Sequence, residues 1–317
     1  MVAATQAIGS SPAVRKRRRR GVRLLSAGDR VVLSLMVFIP LAIVIFFVWF
    51  PAIATVFLSF TTWSGIGGLK AIRADGIQNY HQIATNYPPF IPALEHNVLW
   101  LVVFILFATP LGILIAVLLD QKIRGSRIYQ SLLFLPVMLS LALIGIIWEL
   151  MYSNNYGLIN SLIGRNGQTN FIDWLGNPKL NIWAVLVEAS WRQVGYVMVL
   201  YLAGLKAVDP TLREAATVDG ASPWQTFWRV VFPVLRPINV VIIVITVIES
   251  LRAFDLVYIT NGGTNGLELL SVLVTRNILG QQSRIGFGSS LGVVLLVIAL
   301  VPIITFLVQQ LRQEKRR

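Results

Sequence analysis

Apolar residues fall into six long runs that are separated by polar segments. Each run reaches or exceeds about 20 residues, the length at which a helix crosses the hydrocarbon core of a bilayer. The predicted spans are Val31–Ser59, Asn97–Leu119, Ile128–Leu150, Ile182–Gly204, Ile238–Ile259 and Gly288–Val308. The first of these is long enough to require tilt. The pattern therefore predicts an all-α integral membrane protein with six transmembrane helices.

Composition strengthens this prediction and removes several classes of protein. Of 317 residues, 56% are hydrophobic and 13% are charged, whereas about a quarter of the residues in a soluble domain are charged. The chain has no cysteine, which excludes disulfides and thiol chemistry. Its two histidines, His81 and His96, lack the spacing of metal ligands. We therefore expect neither a metal site nor a catalytic centre.

Basic residues predict the orientation in the membrane. Nineteen Lys and Arg flank the spans on the side that holds both termini and the 205–237 loop, against six on the other side. The positive-inside rule places the first side in the cytoplasm. The run RKRRRR at 15–20 fits a topology signal in contact with membrane lipid, so no nucleic-acid partner is expected. The predicted organisation is a basic cytoplasmic N-terminus at 1–30, whose following span is retained and not cleaved, a transmembrane domain at 31–308 and a basic cytoplasmic tail at 309–317.

The cytoplasmic loop 205–237 carries the local code of two short helices. Asp209 can cap the first helix ahead of Pro210, and Gly220 can end it. Ser222 can cap the second, with Gln225 three residues later as in a capping box. Two prolines, Pro233 and Pro237, are expected to end that second helix. From these residues alone, an amphipathic hairpin on the membrane surface and a docking element for a cytoplasmic partner are both open.

Five charges lie inside the predicted fourth and fifth spans. Glu188 and Arg192 are four residues apart, so they share a helix face and can pair. The others, Glu249, Arg252 and Asp255, follow at steps of three on the fifth span. At 1.5 Å per residue, the middle of each span lies roughly 15 Å from either face of the membrane. Charges at this depth indicate a polar transport cavity, and a salt-bridge cluster that only locks the helices is the alternative.

The cytoplasmic loop also contains a known motif. Glu214, Ala215 and Ala216, followed by Gly220 and then by Phe232-Pro233, resemble the EAA motif. This motif is typical of membrane subunits of binding-protein-dependent ABC importers. Further segments resemble the maltose-type permeases of this family, namely GIQNY at 76–80, DGAS at 219–222, TNGG at 260–263 and FGSSLG at 287–292. The chain is thus identified as a member of the carbohydrate permeases of ABC importers.

The resemblance implies two sets of site residues. The first set docks a cytoplasmic ATPase and comprises Glu214, Ala215, Ala216, Asp219, Gly220 and Pro233. The second lies where maltose-type permeases contact sugar and comprises Arg192, Gln193, Tyr196, Ile248, Glu249 and Arg252. Glu188 and Asp255 join this pathway set through the charge pattern described above.

The resemblance also implies partners. These are a second permease that forms a heterodimer with this chain, two ATPase subunits, an extracytoplasmic solute-binding protein and a small carbohydrate. Because the chain has no GxxxxGK[ST] loop, ATP and Mg²⁺ are expected at the ATPase subunits and no cofactor on this chain. Its expected location is a bacterial plasma (inner) membrane.

Three other functions are weighed against this one. The charged residues of spans four and five favour an anionic or glycerol-phosphate-type solute as one alternative. A proton-coupled secondary transporter would show paired inverted repeats or broken helices in both halves, of which the sequence gives no sign. An intramembrane enzyme would need a catalytic constellation that two isolated histidines do not supply.

Overall fold

The computed structural model describes residues 26–121, 124–165, 170–281 and 283–314. In these ranges the regular structure is helical, apart from an isolated bridge between Thr61 and Ala74. The α-helices are α1 (Ala27–Val44), α2 (Phe50–Leu58), α3 (Gln78–Asn86), α4 (Phe90–Val103), α5 (Thr109–Asp120), α6 (Ser126–Met138), α7 (Leu141–Tyr152), α8 (Leu158–Leu162), α9 (Asn181–Ala207), α10 (Pro210–Val218), α11 (Pro223–Thr226), α12 (Phe232–Val234), α13 (Arg236–Leu251), α14 (Asp255–Asn261), α15 (Leu270–Leu279) and α16 (Ile285–Glu314). Three π-helical turns at Ile45–Trp49, Phe104–Ala108 and Phe227–Val231 join neighbouring helices, and a 3-10 turn lies at Leu69–Ala71.

The chain divides into two compact units, Met1–Ala52 and Ile53–Arg317. The described part of the first unit is the start of a helix that opens with a capping box. The Ser26 hydroxyl accepts from the Asp29 amide at 3.1 Å, and the Asp29 carboxylate accepts from the Ser26 amide at 3.0 Å. This box starts the helix before the predicted Val31. The RKRRRR run lies outside the described residues.

Three helices are long and apolar enough to cross a membrane: Gly28–Leu58, Phe90–Asp120 and Ile285–Thr305. Two bent helix pairs bring the number to as many as five within the described ranges. The predicted fourth span corresponds to α9, which has 27 residues but carries several polar side chains in its middle. Length and composition therefore support a multi-pass membrane protein and do not by themselves give six spans.

The predicted third span is not one continuous helix. Helices α6 and α7 are bent by 103° at a break after Met138. Ser140 has an extended backbone, and its hydroxyl accepts from the Leu143 amide at 3.2 Å, which caps α7. A new N-cap in the middle of an apolar run starts a second helix. The prediction of a single helix over Ile128–Leu150 is therefore wrong.

The predicted fifth span is also broken, between Leu251 and Asp255. In a continuous helix the Ser250 carbonyl would accept from the amide four residues later. Here it accepts from the Asn97 side-chain amide at 3.0 Å, while the Ala253 carbonyl accepts from the Ser271 hydroxyl. Side chains of α4 and α15 thus take over backbone acceptors, and the helix stops. The prediction of a single helix over Ile238–Ile259 is therefore wrong, and Asp255 lies on a different helix from Glu249.

Helix α9 is the central element of the second unit. It packs against α5, α6 and α13, and most of its side chains are buried. Two glycines let its neighbours approach closely. A methyl group at Gly112 of α5 would lie 2.8 Å from the Val197 Cβ, and one at Gly195 of α9 would lie 2.3 Å from the Leu133 carbonyl oxygen of α6. The helix that carries Arg192 and Gln193 is therefore held firmly on two sides.

Candidate functional site

The loop 205–237, called the docking loop below, folds into two short helices in the way its residues predict. The Asp209 carboxylate accepts from the Thr211 amide at 2.9 Å and caps α10. Gly220 follows α10 with φ at +77°, a conformation that side chains other than glycine rarely adopt. Ser222 and Gln225 form the predicted capping box of α11. The predicted caps and bend are confirmed.

The charge of Asp209 is stabilised by its role as a cap. Because the Thr211 backbone amide, and then its side chain, donate to the carboxylate, the pKa of Asp209 lies below its ordinary value. The group is outside the membrane-spanning segments and fully exposed. The folded docking loop therefore favours the ionised form of Asp209.

The predicted docking residues divide between an outer and an inner face. Glu214, Ala215 and Asp219 are exposed. Ala216 is 7% exposed and packs inward, so its small size serves packing within the chain and not the close approach of a partner. The outer surface also includes Trp224 and Trp228, which are 65% and 44% exposed.

Pro233 and Pro237 lie on either side of the end of the docking loop's second helix. Helix α11, the π-helical turn Phe227–Val231 and α12 run on as one helix, Pro223–Val234, in which Pro233 is the second-last residue. The chain then bends by 75° at Leu235, and Pro237 lies in the first turn of α13. The prediction that these two prolines end the second helix is therefore confirmed.

Arg213 ties the docking loop to the long helices, a contact that sequence reasoning missed. Its Nη1 lies 2.7 Å from Asp120 Oδ2, and its Nη2 donates to the Leu205 carbonyl at 3.1 Å. Asp120 is the last residue of α5, and Leu205 lies in the last turn of α9. No local signal in the sequence indicates this contact, because Arg213 and Asp120 are 93 positions apart.

Polar residues from α9, α13 and the break after α13 meet in one cleft, called the polar cleft below. Five of the eight predicted pathway residues line it: Arg192, Gln193, Glu249, Arg252 and Asp255. Aromatic side chains that the sequence did not single out line it as well, namely Trp100, Phe104 and Phe254. Planar donors and acceptors beside aromatic rings are suited to binding hydroxyl-rich solutes.

The ion pair in the polar cleft differs from the predicted one. Arg192 Nη1 lies 3.4 Å from Glu249 Oε2, so Arg192 pairs across to α13 and not with Glu188 on its own helix. Beside it, Gln193 Nε2 donates to the Thr246 hydroxyl at 3.2 Å. Arg252 and Asp255 are exposed. Two cations and two carboxylates therefore share the cleft.

The other predicted pathway residues lie elsewhere. Glu188 is 1% exposed and faces α7, where a methyl group at Gly145 would lie 3.8 Å from its Oε1. Within the described ranges this Oε1 has no hydrogen-bond partner. Tyr196 is half-buried and does not line the cleft, and Ile248 is 38% exposed on α13. The structure thus does not bring these three side chains into the polar cleft.

Comparison with known proteins gives one consistent family. Residues 108–317 match the family model described as binding-protein-dependent transport system inner membrane component. The chain is 33% identical over 259 residues to the xylose/arabinose import permease XacH of Haloferax volcanii, with 81% of this chain and 80% of the relative covered. It is 32% identical over 273 residues to the osmoprotective compounds uptake permease GgtC of Synechocystis, with 84% and 94% covered.

A solved structure shares the fold. A chain of a bacterial ABC transporter involved in the import of the acidic polysaccharide alginate superposes with a TM-score of 0.76 at 20% sequence identity. The superposition covers 90% of this chain and 96% of the other. Together with the match over residues 108–317, these similarities establish that the chain belongs to the inner membrane components of binding-protein-dependent transport systems, the permease subunits of ABC importers.

Proposed function

We propose that this chain forms one half of the translocation pathway of an ATP-driven importer for a sugar or oligosaccharide. The observation that carries the proposal is the docking loop. It presents Glu214 and Ala215 outward and is bonded through Arg213 to the ends of α5 and of α9, the helix that lines the polar cleft. Relatives named for xylose/arabinose and for trehalose/maltose transport support a sugar as the solute.

The proposed topology has six spans with both termini in the cytoplasm. The spans are the helix ending at Leu58, α4–α5, the bent pair α6–α7, α9, α13–α14 and α16. The excess of Lys and Arg on one side supports this orientation. It places the basic segment 1–30, the docking loop and the tail 309–317 inside, around a transmembrane permease domain at 31–308.

The proposed partners follow from the docking loop and from the family. A cytoplasmic ATPase receives Glu214, Asp219 and the tryptophans of α11 and of the π-helical turn after it, and it holds ATP and Mg²⁺. A second permease completes the pathway as a heterodimer, with a second ATPase beneath it. A solute-binding protein delivers the sugar from outside. One solved neighbour is in complex with an alginate pentasaccharide-bound periplasmic protein, which supports this last partner.

The polar cleft favours a neutral solute over an anion. Arg192 and Arg252 are balanced by Glu249 and Asp255, so the charged groups that line it sum to zero. Such side chains donate to and accept from hydroxyl groups without selecting a charge. An anionic or glycerol-phosphate-type solute would leave both carboxylates facing a like charge.

The docking assignment is tested by two substitutions in the docking loop. Glu214→Lys reverses the exposed charge, and Gly220→Val strains the left-handed bend that positions α11. We expect both variants to insert in the membrane but to lose co-purification with the ATPase. Matched controls are Glu95→Lys and Gly76→Val, which make the same changes at an exposed glutamate and at a glycine with φ of +61° on the proposed outer side. Wild-type amounts of ATPase with Glu214→Lys would contradict the assignment.

The solute is tested with the reconstituted complex and its binding protein. We expect ATP hydrolysis to rise with at least one of xylose, arabinose, trehalose and maltose. A protonophore should leave uptake unchanged as long as ATP is present. Uptake that collapses with the proton gradient despite ATP would instead assign a proton-coupled secondary transporter.

A further inference from the structure

Adjacent residues of α10 point in opposite directions. Glu214 is exposed, while the guanidinium of Arg213 points inward and bonds to the ends of two transmembrane helices. We propose that Arg213 is the positioning residue through which the docking loop moves α5 and α9 as one body. This inference rests on the proposed docking of the loop to an ATPase.

The electrostatics of both helix ends favour this contact. Asp120 is the last residue of α5, where a carboxylate meets the negative end of the helix dipole and is destabilised. Leu205 is among the last four residues of α9, whose carbonyls lack an intrahelical partner. The Arg213 guanidinium offers a positive charge and a donor to both ends at once. Because its two terminal nitrogens bond acceptors on two different helices, the planar guanidinium fixes direction as well as distance.

The docking loop meets α5 and α9 in two ways. Phe227 and Val231 lie in one buried apolar cluster with Tyr201 and Leu205 of α9. Beside that cluster, a cavity of about 400 Å³ lies between α10 and the ends of α5 and α9, and Arg213 is in its wall. The guanidinium adds to the apolar packing a polar connection with a fixed direction, which carries displacement of α10 to α5 and α9.

Helices α5 and α9 respond to such a force together. At Gly112 the two helices are so close that even a methyl group would lie 2.9 Å from the Val194 carbonyl oxygen. Packed interiors of this density shift as units. Helix α9 also carries Arg192 and Gln193, which line the polar cleft. A displacement of Arg213 therefore also moves the side chains of α9 that line the polar cleft.

Distances between spin labels test this inference directly. The chain has no cysteine of its own, so introduced pairs label cleanly. One pair, Val218→Cys and Val187→Cys, reports α10 against α9; the other, Val187→Cys and Leu296→Cys, reports α9 against α16. All three positions are exposed. Distances are measured by electron–electron double resonance on the whole reconstituted complex, without nucleotide and with ATP, Mg²⁺ and vanadate.

In the wild-type background, we expect nucleotide to shift the α9–α16 distance and to leave the α10–α9 distance unchanged. In Arg213→Gln, the α9–α16 shift should fall by more than half, and the α10–α9 distance should change instead. Arg213→Lys keeps the positive charge but can replace only one of the two hydrogen bonds, so it should restore part of the α9–α16 shift. ATPase co-purification should stay at the wild-type level in both variants.

Further variants separate this role from a merely structural one. Asp120→Asn should lose the same shift, and the double variant should lose no more than Arg213→Gln alone, because the two side chains act through each other. Asp120→Asn also provides the test if Arg213→Gln fails to fold. Lys206→Gln, an exposed cation beside Leu205, is the matched control and should leave both distances as in the wild type.

Three outcomes would overturn the inference. A full α9–α16 shift in Arg213→Gln would remove Arg213 from the transmission of motion. An equal loss in Lys206→Gln would reduce the effect to net charge. Loss of ATPase binding in Arg213→Gln would make Arg213 part of the docking surface instead. Failure of the wild-type complex to bind an ATPase would refute the proposed docking itself, which is a separate result.

Discussion

The ion pair in the polar cleft permits a quantitative prediction. Arg192 Nη1 and Glu249 Oε2 are 3.4 Å apart, with side-chain exposures of 24% and 33%. At this distance Coulomb attraction is about 5 kcal/mol for an effective dielectric constant of about 20 and about 1.2 kcal/mol in bulk water. Partial exposure and the entropy of two long side chains reduce the larger value. We therefore expect a coupling free energy of about 1–3 kcal/mol between these side chains.

The assay is a double-mutant cycle on the reconstituted chain. Arg192→Met and Glu249→Gln each remove one charge at nearly constant volume, and the double variant removes both. Free energies of unfolding from detergent titration give the coupling energy. Arg165→Met, an exposed arginine on a loop, controls for the loss of a positive charge. Sugar-stimulated ATP hydrolysis of the whole complex is measured on the same variants.

Two results would refute parts of this reasoning. A coupling energy within about 0.5 kcal/mol of zero, the usual limit of additivity, would mean that the pair is not formed in the membrane. If the double variant keeps wild-type sugar stimulation, the pair only locks α9 to α13 and does not belong to the pathway. Loss of stimulation together with a stable fold is the expected outcome.

Two further predictions concern packing and pH. Gly195→Ala should destabilise the chain by about 1–3 kcal/mol, since its methyl group would lie 2.3 Å from the Leu133 carbonyl oxygen. At Gly292 the nearest neighbour of such a methyl group would be 3.7 Å away. Gly292→Ala should therefore stabilise the chain by up to about 1 kcal/mol in the same unfolding titration. Because the folded docking loop lowers the pKa of Asp209, its contribution to loop stability is present above the ordinary aspartate pKa and is lost as pH falls through the lowered value. Hydrogen exchange at the Thr211 amide should speed up over that acidic range in the wild type but not in Asp209→Asn, and unchanged wild-type exchange across it would contradict the capping argument.

The sequence predicts the helices of the docking loop well because a helix cap depends only on residues close to it in the chain. Asp209, Gly220 and Ser222 act on backbone groups within three residues of themselves, so their effect is readable from spacing. The long apolar helices are also predictable from the sequence, because each corresponds to a continuous apolar run. Composition and charge distribution are sufficient to indicate a membrane protein, whereas the family is indicated by the resemblance to the EAA motif.

The breaks and the ion pairs were not predictable in this way. Helix α13 ends where it does because Asn97, 153 positions away, takes the Ser250 carbonyl. Arg192 pairs with a carboxylate 57 positions away, although Glu188 stands one helical turn from it. In both cases a partner from another helix competes with the local one, and periodicity holds no information about which helices become neighbours.

The break between α13 and α14 has a consequence for how this architecture can change its solute. The Asn97 side chain accepts from the Leu270 amide at 3.0 Å while it donates to Ser250, so one buried amide holds three elements in place. Within the break, Ala253 and Phe254 pack against the buried core, whereas Arg252 is exposed. The side chain at 252 can therefore vary in chemistry without altering the course of the backbone. We expect importers of different sugars built on this plan to differ at position 252 and to retain a side chain at 97 that both donates and accepts.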